Sequence, residues 1–148
     1  MKMLNKFTMT IPSKSVNEAF ARAAVSSFAL QLDPTIDELT DIKTAVSEAV
    51  TNCIVHAYKE TIGNIYIAAQ IMSDNSIVIK IKDKGCGIEN LEQAMEPLFT
   101  TAGGERAGLG FAMMESFTDK IKVTSKVGKG TTVTLTKRIS LRASNAIK

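Results

Sequence analysis

The chain has 148 residues, of which 45% are hydrophobic, and a formal net charge of +3. This length suits one domain with a sizeable core. The charge is small and lies partly in the C-terminal tail, so nucleic-acid binding is not indicated. No apolar run approaches the roughly 18 residues that a membrane helix needs, and the N-terminus lacks a signal-peptide stretch. We therefore expect a cytoplasmic protein that binds neither nucleic acid nor membrane directly.

The N-terminal part of the chain predicts a strand and then a helix. Residues 6–11 alternate apolar and polar side chains, which is typical of a strand with one buried face. Ser13 or Ser15 then offers an N-cap for a helix that runs to about Leu32.

A second helix follows the run Asp33-Pro34-Thr35. Thr35 and Glu38 have the spacing of a capping box, in which the side chain of each residue accepts a hydrogen bond from the backbone N–H of the other. Apolar residues then recur every three or four positions to about Tyr58, which predicts one buried stripe. The stripe comprises Leu39, Ile42, Val46, Ala49, Val50, Cys53 and Ala57.

The second half of the chain predicts a hairpin, a short helix, a loop, another helix and a second hairpin. In this order the ranges are 64–72 with 76–82, 89–95, 100–107, 108–117, and 120–126 with 131–137. We assign Ile77, Ile79 and Ile81 to the core face, since side chains two apart share one side of a strand.

This grouping predicts an α+β fold, a two-layer sandwich of a mostly antiparallel mixed sheet covered on one face by helices. We expect a single domain at residues 1–138 and a flexible basic tail at residues 139–148. A ligand would bind between the two layers.

Glu48 and Asn52 lie one helical turn apart at the edge of the second helix's apolar stripe. An amide there can hold Mg²⁺, which prefers oxygen ligands, and a carboxylate one turn earlier can deprotonate a hydroxyl. Asn52 is thus the better metal ligand and Glu48 the better base. His56 would extend the row to a metal triad, but Asn is a poor ligand for soft metals, so we interpret His56 as a helix-edge residue.

Glycine-containing motifs follow the Glu48/Asn52 pair along the chain. Asp83 ends a strand, where its carboxylate can accept a hydrogen bond from the exocyclic amine of adenine. Gly85 and Gly87 permit positive φ and a close approach of a planar ligand. The run Gly108-Leu109-Gly110 can offer backbone N–H groups to phosphate. Each motif alone is common in ordinary turns and helix edges, but their order, completed by Gly130-Thr131, indicates an ATP site.

These motifs resemble those of the gyrase, histidine kinase and MutL ATPase superfamily over about residues 35–135. The run 48–52 resembles the N box of that superfamily, and the three glycine motifs resemble its glycine boxes. Residues 31–35, 46–52 and 96–101 further resemble the small anti-sigma factor serine kinases of spore-forming bacteria. This closer resemblance covers nearly the whole chain.

The resemblance implies the Bergerat ATP-binding fold with ATP and Mg²⁺ as cofactors. It implies that Asn52 coordinates Mg²⁺, that Glu48 is the general base, that Asp83 contacts adenine and that residues 100–107 form a lid. Arg106 in that lid either reaches the γ-phosphate or is solvated. The implied nucleotide-binding residues are Asn52, Asp83, Gly85, Gly87, Thr100, Thr101, Arg106, Gly108, Leu109, Gly110 and Thr131.

The resemblance also implies a double role. The protein would bind and inhibit a sporulation sigma factor of the sigma F type, and as an ATP-dependent serine kinase it would phosphorylate and inactivate the anti-anti-sigma antagonist. Two alternatives stay open: an anti-sigma kinase of the general stress response, and a nucleotide-gated binding module without catalysis. A substitution of Glu48 distinguishes the binding module from a kinase, because only the kinase needs this residue as a base.

The predicted first helix has two apolar faces, of which a two-layer sandwich can bury only one. We expect the face of Ala21, Val25, Phe28 and Leu32, edged by Glu18 and Arg22, to contact another chain. The contact would be a homodimer, through Arg22, Val25 and Phe28, or the sigma factor. In the alternative, neighbouring elements cover both faces. The other face consists of Val16, Ala19, Phe20, Ala23 and Leu30.

Overall fold

Five strands form one sheet in the computed structural model, which describes residues 1–95 and 105–141, with the backbone alone at 105–109. The strands are β1 (Met3–Pro12), β2 (Asn64–Met72), β3 (Ser76–Asp83), β4 (Lys120–Lys126) and β5 (Gly130–Arg138). Their spatial order is β1-β2-β3-β5-β4. All four neighbouring pairs are antiparallel, so within the described residues the sheet is not the mixed one that the sequence predicted.

In the described residues four helices cover one face of this sheet, which confirms the predicted α+β sandwich. They are α1 (Asn17–Ala29), α2 (Ile36–Asn52), α3 (Leu91–Met95) and α4 (Glu105–Ser116). A 3₁₀ turn at Leu30–Leu32 follows α1, and a π-helical turn at Cys53–Ala57 follows α2. None of the helices in the described part of the chain is long and apolar enough to span a membrane.

The core lies between the inner face of the sheet and the helices. Ile77, Ile79 and Ile81 are buried there, as predicted, while Lys80 and Lys82, which follow Ile79 and Ile81, are exposed on the open face. The strand register aligns β-branched side chains across four strands in one row, which packs well on a pleated surface. This row contains Ile67, Ile81, Val133 and Val123.

The capping box predicted at the start of α2 is present. The Thr35 hydroxyl accepts from the N–H of Glu38 at 3.1 Å, and the Glu38 carboxylate accepts from the N–H of Thr35 at 2.9 Å. The predicted serine cap of α1 is wrong. Residue Val16 occupies that position without a side-chain bond, and Ser13 instead bonds both backbone groups of Gly63, which ties β1 to the start of β2.

The assignment of the two faces of α1 is also wrong. Val25 is 0% exposed, and the Phe28 ring packs against Phe7 with centroids 4.8 Å apart, so the face expected to contact another chain belongs to the core. The opposite side is open: Val16 is 75% exposed and Phe20 57%. Both faces looked equally apolar in sequence, and only the packing of α1 against α2 and the sheet decides between them.

Two helix boundaries differ from the predictions. The α-helical part of α2 ends at Asn52, and the remaining residues to Ala57 form the π-helical turn. Residues 105–107, predicted as the end of the loop at 100–107, are helical and belong to α4. The ordinary helix propensity of Glu105, Arg106 and Ala107 explains this.

The described chain continues to pack just beyond the domain boundary predicted at residue 138. Ile139 is buried and exchanges hydrogen bonds with Asn75, at 2.8 Å from its N–H and 2.7 Å to its carbonyl. The N–H of Ser140 donates to Glu38 at 2.9 Å. Burial acts to raise the pKa of Glu38, but the N–H groups of Thr35 and Ser140 outweigh it, so the pKa is lowered. The flexible tail stays a prediction, and residues 142–148 lie outside the described residues.

The capping box gives a test of the fold. Replacing Thr35 with Ala should lower the free energy of unfolding by about 1 kcal/mol, because the N–H of Glu38 loses the hydroxyl to which it donates. The matched control is Thr40→Ala in the same helix, whose hydroxyl bonds the carbonyl of Ile36 and should cost little. Urea unfolding measures both variants, and equal losses would contradict the cap.

Candidate functional site

A cavity of about 870 Å³ lies between the helices and the inner face of the sheet. Its volume falls in the range of sites that hold cofactors and other small molecules. Asn52 and His56 line it from α2 and the π-turn, Asp83 from β3, Thr131 from β5 and Phe111 from α4. Elements from both layers thus converge on one cavity.

The carboxylate of Asp83 is buried in the wall of this cavity at the end of β3. Its Oδ1 accepts hydrogen bonds from the N–H of Gly85 at 2.9 Å and of Thr131 at 3.2 Å. Its Oδ2 accepts from the thiol of Cys53 at 3.5 Å. Since a carboxylate oxygen has two lone pairs and a thiol is a weak donor, Oδ2 keeps the capacity to accept a strong bond from a ligand.

Burial raises the pKa of Asp83, and the N–H groups that it accepts from only partly oppose this. Burial, together with the charge of Asp83, raises the pKa of Cys53 well above its usual value. The thiol therefore keeps its proton and acts as the donor in the pair.

The glycine loop after Asp83 needs its glycines at two positions. Gly85 packs directly on the carbonyl of Ala57, where no side chain fits. Gly87 has a φ of 76° and packs against the carbonyl of Lys126, so any other residue there would be strained as well as crowded. The loop is thereby pressed between the π-turn and the β4–β5 hairpin.

Glu48 and Asn52 come together at Gly110 of α4. A Cβ at Gly110 would lie 3.1 Å from Oδ1 and 3.2 Å from Nδ2 of Asn52, and 3.5 Å from Oε2 of Glu48. Nδ2 of Asn52 is buried and has no hydrogen-bond partner among the described residues. An amide can turn over, which exchanges its oxygen and nitrogen, so Asn52 has an unused polar atom beside the cavity.

The structure brings most of the predicted site residues together, on the cavity wall or against residues that form it. This group contains Glu48, Asn52, Asp83, Gly85, Gly87, Gly110 and Thr131. Glu48 does not itself line the cavity and lies one turn from Asn52. Thr100 and Thr101 lie outside the described residues, and Arg106, Gly108 and Leu109 are placed only by the backbone of α4.

Sequence reasoning missed three residues that belong to the site. Cys53 was assigned to the apolar stripe, and nothing in the sequence indicated its bond to Asp83. Phe111 gave no signal apart from its apolar character. His56 lines the cavity. Its spacing of four residues from Asn52 indicated that both lie on one side of the helix, but we had interpreted His56 only as a helix-edge residue.

Residues 11–137 match the family of histidine kinase-like ATPase domains. The chain belongs to this family, and an ATPase domain implies that it binds ATP. Its relatives include anti-sigma F factors. That of Caldanaerobacter subterraneus is 56% identical over 94% of this chain and 97% of the relative, and that of Clostridium acetobutylicum is 50% identical over 93% and 96%. The resemblance to small anti-sigma factors is thus confirmed.

Solved structures share the fold. A Mycobacterium tuberculosis protein with RsbU and RsbW domains superposes with a TM-score of 0.69 at 22% identity, over 95% of this chain and 34% of that one. The histidine kinase domain of a blue-light-activated kinase from Erythrobacter litoralis gives 0.57 at 20% identity, over 87% and 62%. Both similarities confirm the histidine kinase-like ATPase fold.

Asp83→Asn should separate stability from ligand binding. The new amide oxygen can replace Oδ1, but its nitrogen would replace Oδ2 with a donor, so ATP affinity should fall about tenfold or more. Because folding raises the pKa of Asp83, the native state binds the proton more tightly than the unfolded state. Ionisation therefore costs stability above the folded pKa, and this cost disappears below the unfolded pKa.

The Asp83→Asn variant should then be at least as stable as the wild type at neutral pH and lose this advantage in acid, as read by urea unfolding. Asp74→Asn is the matched control, since bonds from Ser76 and Arg138 lower the pKa of Asp74 and give the opposite sign. The control should lose stability at neutral pH and bind ATP normally. Unchanged ATP affinity in Asp83→Asn would contradict the role of this carboxylate.

Proposed function

We propose that this protein is an anti-sigma factor with protein serine kinase activity. It binds and inhibits a sporulation sigma factor of the sigma F type and, with ATP, phosphorylates a serine of the anti-anti-sigma antagonist. We place this activity in the cytoplasm, because a sigma factor works within the transcription machinery. The observation that carries the kinase proposal is the meeting of Glu48 and Asn52 at Gly110, beside a cavity whose wall also holds Asp83.

Asp83 supports adenine recognition in this proposal. Adenine presents an exocyclic amine, and Oδ2 of Asp83 is an acceptor with spare capacity, fixed at a strand end by the bonds to Oδ1. A buried carboxylate held in this way selects an amine and disfavours a base that has a carbonyl at the same position. The flat face of the base would lie beside Gly87, where no side chain intervenes.

Asn52 supports the proposed Mg²⁺ site. Its buried amide has an unused polar atom, and an amide oxygen is among the hard ligands that Mg²⁺ takes. In the described residues no three His, Cys, Asp or Glu side chains converge as a metal cage. The proposed ion would therefore take Asn52, waters and nucleotide phosphates, and when bound it would neutralise charge on the transferred phosphoryl group.

Glu48 supports the transfer step as the proposed general base. It stands one turn before Asn52 and faces the same glycine, so a serine hydroxyl entering beside the phosphates would meet this carboxylate. Glu48 would accept the hydroxyl proton as the serine oxygen attacks the γ-phosphorus and ADP leaves. Phosphoryl transfer mainly requires positioning of the reactants and neutralisation of charge. In this proposal Asp83 positions the nucleotide, and Mg²⁺ held by Asn52 neutralises the charge.

The exposed side of α1 supports a partner contact. Val16, Phe20 and Leu30 leave an apolar surface at 75%, 57% and 57% exposure, next to a groove of about 340 Å³ edged by Arg22 and Lys43. Surface of this kind is typical of protein interaction sites. We propose it as the side of α1 that meets a partner, and a homodimer remains a prediction.

Replacing Glu48 with Gln tests the kinase. The change keeps the shape of the side chain but removes its basicity, so phosphorylation of a candidate anti-anti-sigma protein should fall about 100-fold or more, as is usual when a general base is lost. ATP affinity should stay unchanged, since Glu48 does not line the cavity. Intact mass spectrometry of the substrate gives the rate of phosphate addition.

The matched control is Glu115→Gln, which alters an exposed acid of α4 and should phosphorylate at the wild-type rate. Equal activity of Glu48→Gln and wild type would reject Glu48 as the base. A wild type that binds ATP but transfers no phosphate would favour the nucleotide-gated binding module.

A further inference from the structure

The connection between α2 and the glycine loop is a π-helical turn, Cys53–Ala57. It is closed by the N–H of Tyr58, which donates to the first carbonyl of the turn at 3.1 Å. A π-turn is rare and is found frequently at functional sites. Here its end, at Tyr58, lies against the loop that follows Asp83.

Two backbone groups of the glycine loop bond to the end of this turn. The N–H of Lys84 donates to the Tyr58 hydroxyl at 2.7 Å, and the N–H of Cys86 donates to the carbonyl of Ala57 at 3.1 Å. These two bonds flank Gly85, whose own N–H donates to the buried carboxylate. The loop is therefore fixed on both sides of the residue that orients the carboxylate.

The Tyr58 hydroxyl is itself held in place. It donates to the carbonyl of Asn64 at 2.8 Å, and the ring packs so closely on Gly63 that a Cβ there would lie 2.5 Å from the ring carbon Cζ. Burial raises the pKa of Tyr58, so the hydroxyl keeps its proton and donates to Asn64 while it accepts from Lys84. One hydroxyl thus joins the start of β2 to the end of β3.

We propose that the Tyr58 hydroxyl is a positioning group for adenine recognition. By holding the N–H of Lys84, the residue directly after Asp83, it fixes the direction in which Asp83 presents its carboxylate. The inference rests on the proposed adenine contact of Asp83 and extends it to a residue outside the cavity wall. Loss of the hydroxyl should affect the discrimination between bases more than the binding of the phosphates.

ATP and ITP provide the test, because the base of ITP has an oxygen where adenine has its amine. Wild type should bind ATP more tightly than ITP. Tyr58→Phe, which keeps the ring on Gly63, should lower ATP affinity about fivefold, because the hydrogen bond from the adenine amine to Asp83 is misaligned, and should leave ITP affinity unchanged. The matched control is Tyr66→Phe, the other tyrosine, whose ring lies 5.1 Å from the Lys84 ammonium and which should keep the wild-type ratio.

A double-mutant cycle tests whether Tyr58 acts through Asp83. In the Asp83→Asn background, Tyr58→Phe should cause no further loss of ATP affinity. Equal weakening of ATP and ITP by Tyr58→Phe would show a purely structural role and overturn the inference. Unchanged affinities for ATP and ITP in Tyr58→Phe would also overturn the inference, but they would not contradict the proposed contact of Asp83 with adenine. A wild type that does not discriminate would overturn the inference together with the adenine contact itself.

Hydrogen exchange on the wild type gives a second readout that needs no variant. The Lys84 amide should exchange slowly, and ATP should slow it further while ITP does not, because only ATP engages the carboxylate beside it. Fast exchange of this amide, or equal protection by both nucleotides, would contradict the inference.

Discussion

The structure around the cavity depends on the buried carboxylate of Asp83. A charged group inside a core needs donors, and this one takes them from three parts of the fold: Gly85 in its own loop, Thr131 in β5 and Cys53 after α2. Through these bonds the carboxylate connects the glycine loop, the sheet and the helical layer. Burial of this carboxylate destabilises its ionised form, which is why the pKa of Asp83 is raised. The same carboxylate keeps an acceptor oxygen for a ligand in the cavity.

The rest of the fold brings polar groups from the helices and the sheet to the wall of the same cavity. Antiparallel strands bury a row of isoleucine and valine side chains on one face only, so the helices must lie on that face. Helix α2 crosses the row with its apolar stripe inward, which leaves Asn52 at the edge and Glu48 one turn away. Gly110 lets α4 approach both residues closely, because even a Cβ there would lie 3.1 Å from Oδ1 of Asn52, a contact that is tighter than usual.

Periodicity and turn chemistry predicted most of the architecture: the two hairpins, the stripe of α2 and the Thr35 capping box all follow from local sequence. The faces of α1 were assigned the wrong way round because Val25 and Phe20 are both apolar, and only the packing of α1 against α2 and the sheet distinguishes them. The motif order predicted the site from Glu48 to Thr131. It did not predict Cys53 or Tyr58, since a hydrogen bond between residues distant in sequence leaves no periodic signal.

We propose that one cavity holds adenine at Asp83 and a phosphate-bound Mg²⁺ at Asn52. The decisive experiment is a crystal structure of the protein with Mg²⁺ and a non-hydrolysable ATP analogue. We expect the exocyclic amine within hydrogen-bond distance of Oδ2 of Asp83, and the amide oxygen of Asn52 about 2.1 Å from the ion. A base that lies away from Asp83, or an ion without Asn52 among its ligands, would contradict it.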